Sequence, residues 1–288
     1  MPFFSVIIPS FNRREMLKSA LDSVFHQSFR DYEVIVVDDG SDDSTDEMVA
    51  EYGKNIKYLK QENSGVSSAR NRGIRKSMSP YIALLDSDDL WHKEKLMRDA
   101  EFIKKNPGIK IHQCEDIWIR AGKRVNPGRK HLKKEGWIFP ESLSLCMISP
   151  SSAVLSRELF DKYGFFDENL HACEDYDLWL RITPFEYIGL IKEKLITRFS
   201  GHNDQLSFHY KVMDKFRLYS IIELLKKESL KKEYKEIALA AAIEKACIIK
   251  TGALKRNNVI ISETLEQIII SLHVEDYKRI NSRSLLEI

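Results

Sequence analysis

The stretch Tyr81-Ile82-Ala83-Leu84-Leu85-Asp86-Ser87-Asp88-Asp89 decides how the rest of the chain is read. A short apolar run of strand length ends abruptly on a cluster of carboxylates. Towards the N-terminus the pattern repeats. Val6-Ile7-Ile8 ends on Pro9-Ser10-Phe11-Asn12, and Glu33-Val34-Ile35-Val36-Val37 ends on Asp38-Asp39-Gly40-Ser41. Helical patterns fill the gaps. Asn12 with Glu15 resembles a capping box opening a helix to about Gln27, and Ser44 with Glu47 opens another to about Tyr52. Ile56–Leu59 reads as a further strand, Gly65–Ser77 as a helix carrying Arg70, Arg72 and Arg75, and Trp91–Lys105 as the helix after the acidic cluster. Strands alternating with helices predict an α/β fold, a mainly parallel sheet flanked by helices on both faces. In such sheets ligands bind beyond the carboxyl ends of the strands, where these three polar loops converge. No G-x-G-x-x-G follows the first strand, which disfavours a dinucleotide-binding domain.

Beyond residue 105 the patterns are less regular. Lys110–Arg120 followed by Ala121-Gly122 predicts a strand entering a hairpin. The basic stretch 128–136, bounded by glycines, reads either as a solvated, mobile loop or as a lid or acceptor-contacting loop. Ser156–Tyr163 and Glu174–Ile182 look helical, and Tyr187–Ile191 and Lys194–Phe199 read as the last strands. From about Met213 the pattern is helical throughout. Glu236–Ile249 is alanine-rich, Gly252 is a plausible break, and Glu263–Leu272 begins another helix. The division expected is a catalytic-type α/β domain over 1–210 and a helical region over 211–288.

Composition narrows the function classes. The 288 residues carry 45 Lys and Arg against 43 Asp and Glu, a balance that argues against nucleic acid as a partner. The four cysteines form no C-x-x-C pair, so a zinc site is not expected, and scattered thiols suit a reducing compartment. Met1-Pro2 leads directly into the first strand, and no apolar run is long enough to span a bilayer. A cytoplasmic protein, with peripheral contact at the inner face of the membrane, is the expectation.

The acidic cluster has a chemistry of its own. Adjacent carboxylates repel one another unless a cation or protons compensate. A hard divalent ion such as Mg²⁺ or Mn²⁺ would bridge them to substrate phosphates and offset charge on a departing diphosphate. The competing reading is that Asp88 or Asp89 caps the Trp91 helix.

Four segments in order then resemble one family: Ser5–Asn12, Val36–Thr45, Asn63–Gly73 and Leu84–Asp89 are similar to the inverting GT-A glycosyltransferases of family 2, with a weaker likeness through Glu174–Arg181. The resemblance implies a nucleotide-diphosphate sugar donor, with a UDP-sugar as the commonest class, and a carbohydrate or lipid-linked acceptor. It implies that Asp39 hydrogen-bonds the nucleotide base, and that Pro9, Phe11, Asn12 and Arg70 complete the base and ribose pocket. Phe11 stands where many relatives have tyrosine, and so offers stacking without a hydroxyl. Asp86, with Ser87, resembles the ribose-contacting pair, and Asp88 the metal ligand. Asp175 resembles the catalytic base, with Glu174 and Asp177 as neighbouring rivals. A base at a predicted helix start would be kept ionised by the helix dipole. Trp179, four residues on, reads either as core or as an aromatic wall for a sugar ring. Arg198 and His202 resemble residues that approach the diphosphate or the metal.

Two other functions remain open at this stage. A nucleotidyltransferase also uses metal-bound carboxylates on an α/β sheet, but usually has a glycine-rich basic loop that Pro9–Arg14 does not provide. A non-catalytic nucleotide-sugar-binding module would be expected to lose either the base or the acidic cluster, and both are present.

Overall fold

The computed structural model describes residues 1–201, 210 and 212–288. The N-terminal half alternates as the sequence predicts: β1 (Phe4–Ser10), α1 (Arg14–Phe25), β2 (Tyr32–Asp38), α2 (Thr45–Ala50), β3 (Ile56–Lys60), α3 (Val66–Lys76) and β4 (Tyr81–Leu84). β1 pairs in parallel with both β2 and β4, and β2 with β3. The chain therefore winds outward from β1 to β3 and returns to its other side at β4. That reversal is the switch point at which the carboxyl ends of β1, β2 and β4 open a crevice.

Alternating side chains explain why both faces of these strands are covered. Val6, Ile8, Val34 and Val36 pack with Leu17, Leu21 and Met48 of α1 and α2, and with Leu96. Ile7, Ile35 and Val37 pack with Ala69 and Ile74 of α3 on the opposite face. Gly73 sets how closely α3 lies on the sheet, since a Cβ there would stand 2.5 Å from a methyl of Ile7.

The second half extends the sheet with mixed pairing. β5 (Leu90–Trp91), α4 (Lys95–Lys105), β6 (Ile111–Arg120), β7 (Lys123–Val125), α5 (Phe139–Ser144), β8 (Val154–Ser156), α6 (Glu158–Tyr163), α7 (Glu174–Ile182) and β9 (Ile188–Ser200) follow in order. Among the described residues the strands lie as β3-β2-β1-β4-β8-β6-β9-β5, with β7 on β6. The hairpin forms where expected, its two turn residues Ala121 and Gly122 both at positive φ (47° and 74°).

Several expectations are corrected. Trp91 belongs to β5, because Leu90 and Trp91 pair with Thr197 and Ile196 of β9. The two last strands are one, interrupted by irregular register against β6 around Glu115. Ser156 ends a strand rather than opening a helix. Neither capping box closes: α1 and α2 have no side-chain cap bond, because Asn12 and Ser44 sit at positive φ. The side chain of Asn12 instead accepts from Asp42 N at 2.9 Å, and Asp43 accepts from Arg14 N at 2.9 Å, lacing the first two polar loops together.

The C-terminal helices are α8 (Met213–Lys226), α9 (Lys232–Lys255) and α10 (Val259–His273). Gly252 does not break α9. Their core, built on Phe216, Ile222, Ala238, Ala242, Ala246 and Leu265, is continuous with Tyr176 and Leu180 of α7 and Phe139 of α5. The opposite side of α7 (Leu178, Trp179, Ile182) packs in the core beneath α3. α7 is thus buried between the sheet and the helical region, and it carries the Glu174–Asp175 pair at its N-terminus.

Candidate active site

The crevice is built first by hydrogen bonds among its loops. Asp38 accepts from Ser41 N at 2.8 Å and from the Tyr58 hydroxyl, holding the turn after β2. Gly40 is required there, since its φ is +92° and a Cβ would stand 3.0 Å from Asn63 N. Asp39 is 4% exposed, and its carboxylate accepts from Gln61 Nε2 (2.7 Å), Ser64 N (2.9 Å) and Gly65 N (2.8 Å). One acceptor position of its carboxylate is left for a ligand N–H. Pro9 is buried in β1 opposite Val37, while the Phe11 ring is 45% exposed at the mouth, and Asn12 is exposed beside it.

Arg70 is the link between the two halves of the crevice. Its guanidinium is buried, donating to Asp86 Oδ1 at 2.6 Å and to Glu174 Oε1 at 2.5 Å. Burial alone would lower its pKa, but Asp86 and then Glu174 outweigh that and raise it above the ordinary arginine value. Burial pushes the Glu174 carboxyl up, against Arg70. Arg70 lies 5.2 Å over the Phe166 ring, so its planar group is fixed on three sides.

Within the acidic cluster the residues divide. Asp86 N donates to Ser151 Oγ at 3.1 Å, and Ser87 is buried. Asp89 is buried and accepts from Ser151 Oγ (2.6 Å) and Phe199 N (3.1 Å), so it anchors the loop to β9 and caps no helix. Burial, with Asp88 and Asp86 nearby, raises its pKa despite Arg198. Asp88 faces Arg13 Nη1 at 3.2 Å, its side chain 14% exposed. An apolar cleft of about 350 Å³ opens beside it, lined by Met16, Leu90, Ile119 and Phe199.

Donor chemistry decides whether Mn²⁺ or Mg²⁺ suits this cluster. Among the described residues no group of three or more His, Cys, Asp or Glu is placed to enclose a metal. That excludes an all-protein cage from these residues. A hard ion that takes one or two carboxylates and fills its shell with water and diphosphate oxygens would fit, with Asp88 as the candidate ligand and Asp86 two residues before it on the same loop. His202 lies outside the described residues.

On the facing side, Asp175 is half-exposed at the first turn of α7. Its Oδ1 accepts from Tyr176 N at 2.7 Å and its Oδ2 from the Cys146 thiol at 3.2 Å. Cys146 is an exposed residue whose thiol end is desolvated beside Asp175, and both effects push its pKa above the usual value, which keeps it a donor. Asp177 is turned away and paired with Arg181 at 2.8 Å. Trp179 is 1% exposed in the core under α3, so it offers no wall to a sugar: four residues on from Asp175, it is rotated onto the face that packs against the sheet.

Sequence reasoning missed a cluster beside Asp175. Lys133 reaches inward from the basic stretch to Ser149 Oγ (3.1 Å) and Ser152 Oγ (3.4 Å), 3.7 Å from Asp116, and burial lowers its pKa. Arg198 stands 3.8 Å from Asp116 and 5.3 Å over the Trp118 ring; Asp89, Asp116 and Asp86 hold its pKa above the ordinary value against burial. Arg198 of this cluster was named from sequence; for Lys133 the signal was the basic composition of 128–136, and Asp116 carried none.

The profile of glycosyl transferase family 2 matches residues 5–164. The chain belongs to that family. This family 2 protein is 41% identical over 212 residues to TuaG of Bacillus subtilis, provisionally assigned as a teichuronic acid biosynthesis glycosyltransferase, covering 72% of this chain and 82% of that one. It is 33% identical over 192 residues to the Escherichia coli UDP-Glc:alpha-D-GlcNAc-diphosphoundecaprenol beta-1,3-glucosyltransferase WfgD, covering 65% of this chain and 72% of that one. An uncharacterized glycosyltransferase of Rickettsia conorii matches at 35% identity, but the match spans only 33% of its length. Among solved structures, S. aureus TarS 1-349 in complex with UDP-GlcNAc superposes with a TM-score of 0.65 at 19% identity, covering 99% of this chain and 90% of that one. A mannosyltransferase of Pyrobaculum calidifontis in complex with GDP-Man and Mn2+ gives 0.59 at 18% identity, covering 99% and 85%. These likenesses establish the GT-A fold for the family 2 chain.

Proposed function

We propose that this chain moves a sugar from a UDP-sugar to an acceptor hydroxyl with inversion at the anomeric carbon, in the assembly of a cell-surface polysaccharide or glycoconjugate on the inner face of the membrane. The observation that carries the reading is the Arg70 bridge, which ties the strand end bearing Asp86 to the helix start bearing Asp175. A direct displacement needs the donor diphosphate and the base held on opposite sides of one carbon, and one rigid guanidinium spans those two elements.

In this reading Phe11 stacks on the base, Asp39 accepts its N–H through the remaining lone pair, and Asp86 faces the ribose. A divalent ion on Asp88, when bound, offsets the charge that builds on the leaving nucleoside diphosphate. Arg198 faces the same phosphates. Asp175 removes the proton from the acceptor hydroxyl, its Oδ1 steadied by Tyr176 N and its Oδ2 by the Cys146 thiol. Because Glu174 is committed to Arg70 and Asp177 to Arg181, Asp175 is the carboxylate of the three available for that step. The relatives support the substrate classes: WfgD is named for UDP-Glc and a diphosphoundecaprenol-linked acceptor.

A donor screen followed by thermal unfolding, with and without Mn²⁺, tests the reading. At a ligand concentration of about 100 Kd a donor should stabilise the protein by about 2.7 kcal/mol, or roughly 5 °C. A metal-dependent shift with UDP-sugars is expected. Shifts with nucleoside triphosphates alone would favour nucleotidyl transfer, and no shift with any nucleotide would overturn the reading.

A further inference from the structure

The α9–α10 turn is the most exposed apolar feature among the described helices. Leu254 is 55% exposed, Val259 61% and Ile260 78%. Lys255 and Arg256 are exposed between them, and no acidic residue occurs between Glu244 and Glu263. Val274, at the other end of α10, is 68% exposed but adjoins Glu275 and Asp276. Only the first turn therefore combines protruding aliphatic side chains with uncompensated positive sequence.

Its direction follows from the packing. Met213, at the start of α8, lies beside Cys173, two residues from Asp175. α8 runs away from the crevice and α9 returns antiparallel to it, since only residues 227–231 join them. α9 has 24 residues against 14. Lys245 Nζ meets Asp214 Oδ1 at 3.3 Å, which aligns the middle of α9 with the start of α8. The ten residues from Lys245 to Lys255 then carry the turn about 15 Å beyond that level, on the crevice end of the helical region.

We infer that the α9–α10 turn docks on an anionic lipid bilayer, inserting Leu254, Val259 and Ile260 while Lys255 and Arg256 meet the headgroups. The pairing of aliphatic tips with flanking cations is the chemistry of shallow interfacial binding. The overshoot places the bilayer at the end of the molecule where Asp175 faces its acceptor. Docking extends the proposed transfer to a lipid-linked acceptor, and it is read without turnover, so the two stand or fall separately.

Full-length protein is tested by co-sedimentation with vesicles of phosphatidylcholine alone or mixed with phosphatidylglycerol. Binding to the mixed vesicles that weakens with salt is expected. Lys255→Gln with Arg256→Gln should weaken it about 25-fold, at about fivefold per cation. Val259→Ser with Ile260→Ser should weaken it at least about tenfold. Thermal unfolding and the donor-dependent shift should be unchanged in both variants, because neither pair touches the core or the crevice. No vesicle binding, or binding indifferent to both variants, overturns the inference. So does a wild-type dimer in solution that Val259→Ser with Ile260→Ser converts to monomer, since the turn would then be a contact between two copies. Vesicle binding by a chain that responds to no nucleotide would sink the proposed transfer while leaving the docking intact.

Discussion

Removing the Arg70 guanidinium should be one of the most damaging single changes in this protein, and the structure says why. Arg70 is buried with two carboxylates of unequal exposure: the Glu174 side chain is 8% exposed and that of Asp86 27%. In Arg70→Met, Asp86 can turn to water and loses little, about 0–1 kcal/mol. Glu174 cannot, so it is left buried and unpaired at a cost of about 3–5 kcal/mol. Glu174→Leu alone keeps Arg70 paired with Asp86 and should cost about 1–3 kcal/mol. In the double variant no buried charge is stranded, so the combined loss should fall short of the sum by about 2 kcal/mol. Urea unfolding of all four proteins measures this directly. Additivity within about 0.5 kcal/mol would refute the bridge as an energetic unit. A companion variant, Arg70→Lys, keeps a positive charge but reaches one carboxylate at a time. Displacing α7 by even a fraction of its helical rise moves Asp175, so turnover should fall about a hundredfold, more than donor affinity does. Wild-type turnover in that variant would mean the bridge does not hold the base.

Other outcomes follow from the same geometry. Asp175→Asn should lower turnover by about 10²–10⁴-fold while nucleotide binding, read by calorimetry, stays near wild type; undiminished turnover would remove Asp175 from its proposed role. Asp88→Asn should abolish the Mn²⁺-dependent part of the donor thermal shift and leave any metal-independent part. Lys133→Met should raise the acceptor KM more than it lowers donor affinity, because the Lys133 ammonium lies 3.7 Å from Asp116 and close to Cys146, whose thiol donates to Asp175. Asp99 tests stability: it is fully buried between Lys95 (2.7 Å) and His112 (3.0 Å), which outweigh burial and hold its pKa below the ordinary carboxylate value. A depressed folded-state pKa adds stability above the unfolded value, near pH 4, and loses it as pH falls through the folded value. Asp99→Asn should therefore cost about 3–5 kcal/mol at neutral pH and flatten the acid limb of the stability curve.

The succession of strands and helices over the first hundred residues was legible because their periods alternate there and the strand ends carry polar residues, whereas the order of strands in the sheet was not read from sequence. Where expectation failed, a long-range contact had overridden a local signal. Leu90-Trp91 joins helix-like sequence but pairs with β9, which lies more than a hundred residues away. Asn12 has the chemistry of a cap and spends it on Asp42 of the neighbouring loop. Gly252 costs about 1 kcal/mol in a helix interior, yet the Ala238, Ala242, Ala246 and Ala253 stripe, all fully buried, holds α9 straight through it. The acceptor side was opaque for a related reason. Asp116, Lys133, Cys146 and Asp175 come from four separate segments, so no local window contains their grouping.

The same contrast explains what the acidic residues do. Read as text, Asp38, Asp39, Asp86, Asp88 and Asp89 look like one pool of ligands. In the structure Asp38 and Asp89 are consumed by the loops, Asp39 keeps one acceptor position, and Asp86 is shared with Arg70. In the proposed reading Asp88, which faces the Arg13 guanidinium at 3.2 Å and borders the apolar cleft, is the carboxylate that a divalent ion would share. Motif residues that cannot be spared for substrate still determine where substrate goes. They fix the backbone of the loops that carry Phe11, Asp86 and Asp88, and Arg70 then ties Asp86 to Glu174 at the helix start that carries Asp175, the proposed base.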